Sequence, residues 1–221
     1  AALETPVTPT PEPEPEPTTE PEKTITIAGG NIQAYGSNGS AGIGGGHCSE
    51  GGGVINITGG TIYAQGGQYY KSEYLGPENH AGPGIGAGCD SEGDFEIKIS
   101  GTPFVEAVGG QGAAAIGSGY QNSSNLAKIG NIEIYGGNVT ATSSLGGAAI
   151  GAGNGATAGN IIITDGTVNA TSTNVYSSAI GGSGPYVATV GNITIYGGNI
   201  TANLDAENET YAAAIGTGYA T

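Results

Sequence analysis

The chain has 221 residues, 45 of them glycine, no Met, Trp or Arg, and a formal net charge of −15. No apolar run approaches the ~18 residues of a membrane-spanning helix, and no basic stripe exists to neutralise phosphates, so composition argues against a membrane span and against nucleic acid as a partner. The acidic, Gly-, Asn- and Thr-rich composition reads as secreted, extracellular or cell-surface, and the start without Met reads as a processed N terminus.

Residues 1–23 form a segment apart. Pro9 to Glu22 is nearly a Pro-Glu repeat. Alternate prolines remove backbone donors and fix φ, so this stretch cannot enter a helix or a sheet interior. It is expected to be an extended polyproline II tail, stretched by its own carboxylates. Its tip carries the apolar residues Ala1, Ala2, Leu3 and Val7.

Residues 24–221 repeat one unit six times. Each copy opens apolar-x-apolar, turns, and continues apolar-x-Ala, as in Ile25-Thr-Ile27 with Ile32-Gln-Ala34, Ile55-Asn-Ile57 with Ile62-Tyr-Ala64, and Ile132-Glu-Ile134 with Val139-Thr-Ala141. The same pattern recurs from Ile97, Ile161 and Ile193. The third copy carries one extra residue at Pro103 or Phe104, which predicts a local bulge. A variable loop follows, and then Ala-x-Ile-Gly-x-Gly or a close variant. The isoleucines of that last string are Ile43, Ile85, Ile116, Ile150, Ile180 and Ile215, spaced by 42, 31, 34, 30 and 35 residues.

Self-similarity at this period signals a repeat architecture. Alternation with period 2 and β-branched residues indicates strands with one buried face. Every unit offers the same strands in the same order, so each strand pairs best with its copy in the next unit. The expected fold is all-β, a parallel β-solenoid of about six coils with three short strands per coil. Coils ~4.8 Å apart make a rod roughly 30 Å long. The six isoleucines are its core ladder, beside a ladder of Ala34, Ala64, Ala107, Ala141, Ala170 and Ala202.

These strings resemble the Gly-rich parallel β-helix segments of secreted bacterial surface proteins. The resemblance covers residues 24–221. It implies the fold; such segments serve adhesins, carbohydrate-binding proteins and polysaccharide-acting enzymes alike, so it fixes no activity.

Several residues are candidates for chemistry. Cys48 follows Ile43 by five residues and Cys89 follows Ile85 by four. Near-equivalent places in adjacent coils fall within the ~4.4–6.8 Å Cα separation of a disulfide, which is the expectation here. The alternative is a zinc site from His47, Cys48, Cys89 and Asp90, helped by His80. Asp90, Glu92, Asp94 and Glu96 alternate along the chain, as do Asp205, Glu207 and Glu209, so calcium is a second metal candidate, centred on Asp90, Glu92 and Asp94. No other cofactor is expected. The histidines are only His47 and His80, and no Ser/His/Asp grouping exists. The chain is therefore read as no enzyme. Tyr69, Tyr70 and Tyr74 sit in the longest insertion, where aromatic faces would stack on a surface glycan.

A solenoid must cover its terminal coils, because open strand edges template another chain. The first coil begins at full strength with Thr24, Ile25 and Ile27, and only six residues follow Ile215. The expected function is a filament subunit, a head-to-tail homopolymer. Thr24, Ile25 and Ile27 of one copy would meet Ile215 and Tyr219 of the next, with the tail as a clamp anchored by Ala1, Ala2, Leu3 and Val7. The alternative is a glycan-binding adhesin module of a larger surface protein.

Overall fold

A computed structural model describes residues 23–68, 81–121, 128–184, 186, 188–205 and 210–219. The tail anchors Ala1, Ala2, Leu3 and Val7, the tyrosines Tyr69, Tyr70 and Tyr74, His80, Glu207 and Glu209 lie outside the described residues.

The strands follow the repeat. The first turn comprises β1 (Thr24–Ile27), β2 (Asn31–Tyr35) and β3 (Ile43–Gly44). The second comprises β4 (Gly53–Ile57), β5 (Thr61–Gln65) and β6 (Ile85–Ala87), and the third β7 (Phe95–Ile99), β8 (Phe104–Gln111) and β9 (Ile116–Ser118). Next come β10 (Lys128–Ile134), β11 (Asn138–Ser144) and β12 (Ile150–Gly151). After them β13 (Thr157–Ala158) and β14 (Ile161–Ile163) share one wall, before β15 (Thr167–Ser172) and β16 (Ile180–Gly181). The chain closes with β17 (Thr189–Val190), β18 (Ile193–Ile195), β19 (Asn199–Leu204) and β20 (Ile215–Gly216).

Three parallel walls result. The first runs β1-β4-β7-β10-β13-β17, with β14 and β18 continuing from β10; the second runs β2-β5-β8-β11-β15-β19; the third runs β3-β6-β9-β12-β16-β20. Five complete turns carry β1 onto β17 and β18, and β19 and β20 begin a sixth. This is the parallel β-solenoid that the repeat predicts.

Register explains the core. Ile25, Ile55, Ile97, Ile132, Ile161 and Ile193 stack on the first wall. The alanines stack on the second, and the Ile-Gly isoleucines on the third. Ile85, Ile116, Ile150 and Ile180 are fully buried, and Ile43 nearly so. Each buried isoleucine contributes about 1.5–3 kcal/mol of hydrophobic free energy. Ile215 departs from the ladder at 42% exposure, because no described coil lies beyond it.

The bulge expected at Pro103 or Phe104 is not found at that place. Four residues, 100–103, separate β7 from β8, where three, 58–60, separate β4 from β5. The extra residue is absorbed in the corner, where Pro103 costs no ladder hydrogen bond, and β8 enters in register with Phe104 opposite Thr61. The second wall breaks register between Thr142 and Ser144 of β11, against Val108 and Gln111 of β8, and the first wall breaks it between Ile129 and Ile132 of β10. An amide ladder supports that bend: Asn131 Oδ1 accepts from Asn160 Nδ2 at 3.2 Å and from Asn160 N at 3.1 Å, and Asn160 Oδ1 accepts from Asn192 N at 2.9 Å.

Candidate functional site

Three surface features carry exposed or polar groups that the fold itself does not consume. The first is the pair of end faces. β1, β2 and β3 terminate the three walls at one end, and β17, β18, β19 and β20 terminate them at the other. Thr24, Ile25 and Ile27 thus lie at one end and Ile215 and Tyr219 at the other. Inward-facing isoleucines that are fully buried in middle coils are open here, with Ile25 at 36% and Ile195 at 39% exposure. A hollow of about 330 Å³ opens at the first-coil end beside Ile25, Gly45 and Phe95. At the last-coil end, Tyr219 joins Tyr176 and Tyr211 in a ring cluster with centroids 5.6–5.9 Å apart.

The second feature is the outer face of the second wall. Alternation along β2, β5 and β8 turns Gln33, Tyr35, Tyr63, Phe104 and Glu106 outward. They border a shallow groove of about 540 Å³. The rings of Tyr35 and Tyr63 are 5.6 Å apart, Tyr63 donates its hydroxyl to Gln65 Oε1 at 2.9 Å, and Phe104 is 60% exposed. Sequence reading missed this group. Its members come from three different coils, and only the rung register brings them together.

The third feature is the corner after β3 and β6. Ile43 pairs with Ile85, and Gly53 pairs with Phe95. Both intervals are ten residues long, so His47 falls opposite Cys89 and Cys48 opposite Asp90. Cys48 N donates to the Cys89 carbonyl at 2.9 Å, as that register requires, and the Ser49 and Ser91 hydroxyls meet at 2.7 Å. This corrects the expected disulfide. The cysteines are one rung position out of step, Cys48 is exposed while Cys89 is buried, and no disulfide joins them. The Cys89 thiol instead donates to Asp90 Oδ2 at 3.5 Å. Burial first, and then Asp90, push the Cys89 thiol far above its usual range. Partial desolvation, followed by Asp90 and Glu92, also holds Cys48 high.

The acids proposed for calcium are not gathered. Asp90 is half-buried at the corner while Glu92 and Asp94 are exposed. Among the described residues the one convergent group of potential metal ligands is His47, Cys48 and Asp90. No helix of the described residues is long and apolar enough to cross a membrane.

A family model described as a beta helix repeat matches residues 25–47, 55–89, 97–120, 132–154, 161–184 and 193–219. Each segment starts at a first-wall isoleucine and ends four residues after the third-wall isoleucine. His47, Cys89, Tyr120, Asn154, Gly184 and Tyr219 are thereby equivalent positions, in agreement with the structural register. No curated protein and no solved structure matches the chain.

Proposed function

Because the chain belongs to the β-helix repeat family, we propose that it is a rod-building module of an extracellular structure, whose copies stack head to tail. The supporting observation is the match between the two end faces. Placing β1 of a second copy on β18 would set Ile25 on Ile193 and Ile27 on Ile195, the pairing that joins every internal coil. β2 on β19 would set Ile32 on Ile200 and Ala34 on Ala202, and β3 on β20 would set Ile43 on Ile215. The joint would complete these five isoleucine and alanine pairs and pair the open strand edges. The interface is heterologous, so it propagates as a filament rather than closing as a dimer.

The role is structural, not catalytic, and the acid-rich, Arg-free composition fits an extracellular setting. In this reading the Pro-Glu tail clamps the stack. At ~3.1 Å per residue, Thr5 to Glu22 would reach roughly 55 Å, longer than one subunit. Deleting residues 1–22 is expected to leave the solenoid folded and shorten the filaments. Electron microscopy of the purified full chain is the primary test. The expected result is rods with an axial repeat of about 29 Å, six rungs of ~4.8 Å. A monomer at every concentration, by light scattering, sinks the proposal.

A second reading, glycan binding by an adhesin module, is favoured by the second-wall groove. Exposed aromatic faces beside amides and a carboxylate suit stacking on a sugar ring with hydrogen bonds to its hydroxyls. A glycan array with a ligand lost in Tyr63→Ala and Phe104→Ala supports it, and an empty array removes it. Tyr69, Tyr70 and Tyr74, which lie outside the described residues, are the other candidates for the same ligand.

A further inference from the structure

The corner after β3 and β6 gathers three kinds of metal-binding atom in a space where the solenoid needs none of them. The core ends at Ile43 and Ile85, and the outward corner could be built from glycine, as it is at Gly155 in the fourth coil (φ 73). Instead the chain places Cys48 and Asp90 there in the left-handed region, with φ of 53 and 50. L-residues pay about 1–2 kcal/mol for that conformation. Because the two residues share one rung position and one backbone conformation, their side chains leave the wall in the same direction, one coil apart.

His47 completes the group. Its backbone N donates to Ser40 Oγ at 3.3 Å. Its ring lies against the bare α-carbon of Gly39 (φ +74), where a Cβ would come within 3.0 Å of the imidazole. The 37–40 turn is thus a seat for this ring. The seated His47 Nε2 is buried and faces Asp90 Oδ2 at 3.7 Å. The nearest ligand atoms of His47, Cys48 and Asp90 all lie within 4.8 Å of one another.

We propose that His47, Cys48 and Asp90 bind one divalent transition-metal ion of the zinc class, one per chain, bridging the first two coils. Bonds of about 2.0–2.3 Å in a tetrahedral shell put ligand atoms about 3.3–3.8 Å apart. The His47–Asp90 separation already meets that distance. The remaining contraction is about 1 Å, and exposed Cys48 supplies it by a side-chain rotation. The donor set of imidazole nitrogen, thiolate and carboxylate selects zinc, cobalt or cadmium over calcium, which takes six to eight oxygens. The fourth position is open to water or to Cys89, whose Sγ lies 3.5 Å from Asp90 Oδ2. Such an ion would add a side-chain cross-link between the first two coils.

The test uses the full chain, kept reduced with a phosphine. Zinc is titrated by calorimetry, and cobalt by its thiolate charge-transfer absorption. The expected result is one zinc per chain and a cobalt–thiolate band that disappears in Cys48→Ser. His47→Ala and Asp90→Asn should each weaken zinc by ~10-fold or more, while Asp94→Asn leaves it unchanged. Circular dichroism checks that each variant keeps its β-solenoid, which the position outside the core favours. Three results overturn the proposal: no saturable zinc, zinc binding indifferent to Cys48→Ser, or calcium displacing zinc at equal concentration. The last two would mark a diffuse acidic surface.

Discussion

The α-carbon of Gly117 lies directly against the carbonyl oxygen of Gly151 in the next coil, with Gly117 at φ +145. The same contact repeats from Gly44 to Gly86, Gly86 to Gly117, Gly151 to Gly181 and Gly181 to Gly216. A Cβ at any of these five positions would collide with the neighbouring backbone. This is the physical reason that glycine follows every third-wall isoleucine. At Gly216 the corresponding direction meets only Ala213 Cβ at 3.4 Å. Among the described residues no further coil faces Gly216.

Gly117→Ala should therefore cost about 3 kcal/mol or more, from backbone strain plus the clash. Gly46→Ala, in open space only three residues after β3 begins, should stay within about 0.5 kcal/mol of the parent. Chemical unfolding of the two variants makes the comparison. Equal stability would mean that the coils can separate enough to admit a methyl group.

The isoleucine ladder gives a second contrast. Ile150 is fully buried between Ile116 and Ile180, whereas Ile25 is 36% exposed on a terminal rung. Ile150→Ala should lose about 2–5 kcal/mol, and Ile150→Asp should unfold the protein, because no partner for the charge exists in a wall of isoleucine and alanine. Ile25→Asp should fold. A folded Ile150→Asp variant with native circular dichroism would refute the packing described.

How much of this was legible depends on whether a feature lies along one unit or across several. The buried positions repeat within every unit, so the strands, their parallel pairing and the core ladders followed from the sequence. The cysteines also carried a readable signal. Ile43 to Gly53 and Ile85 to Phe95 are equal in length, which leaves no insertion to bring Cys48 level with Cys89. Proximity in the chain pattern is not equivalence, because a parallel ladder converts a one-residue offset into a different neighbour. Tyr35, Tyr63 and Phe104 were less legible. They occupy outward positions that look like a plain solvent face in each unit, and they meet only because rungs offset by 30 and 43 residues are in register.

On the first wall, Lys98 bridges Glu96 Oε2 at 3.0 Å and Glu133 Oε2 at 3.9 Å. Tyr135 sits at the edge of this cluster, and its phenol is raised above the ordinary value, first by a hydrogen bond to Glu133. A phenol raised in the folded state keeps that bond below its unfolded pKa and loses it as pH climbs through the folded one. Alkaline titration of isotope-labelled tyrosine, assigned with Tyr135→Phe, should show the Tyr135 ring titrating late. Glu133→Gln should move it back down. An unmoved titration would detach Tyr135 from Glu133.

The stacking proposal makes its sharpest prediction with two variants that are each blocked at one end. Ile25→Lys puts a charge on the first-coil face, and Ile195→Lys puts one on the last-coil face. Both sites are more than a third exposed, so each lysine can reach water in the monomer and the fold should hold. Burial of that lysine in an end-to-end joint would leave a charge without a partner. Neither variant alone should form rods. Mixed in equal amounts, they should form dimers and nothing longer. The unmodified last coil of the Ile25→Lys protein meets the unmodified first coil of the Ile195→Lys protein, and both remaining ends are blocked. Sedimentation velocity reads the outcome. Rods from either variant alone would show that the end faces are not the joint, and a mixture that stays monomeric while the parent polymerises would rule out a head-to-tail arrangement.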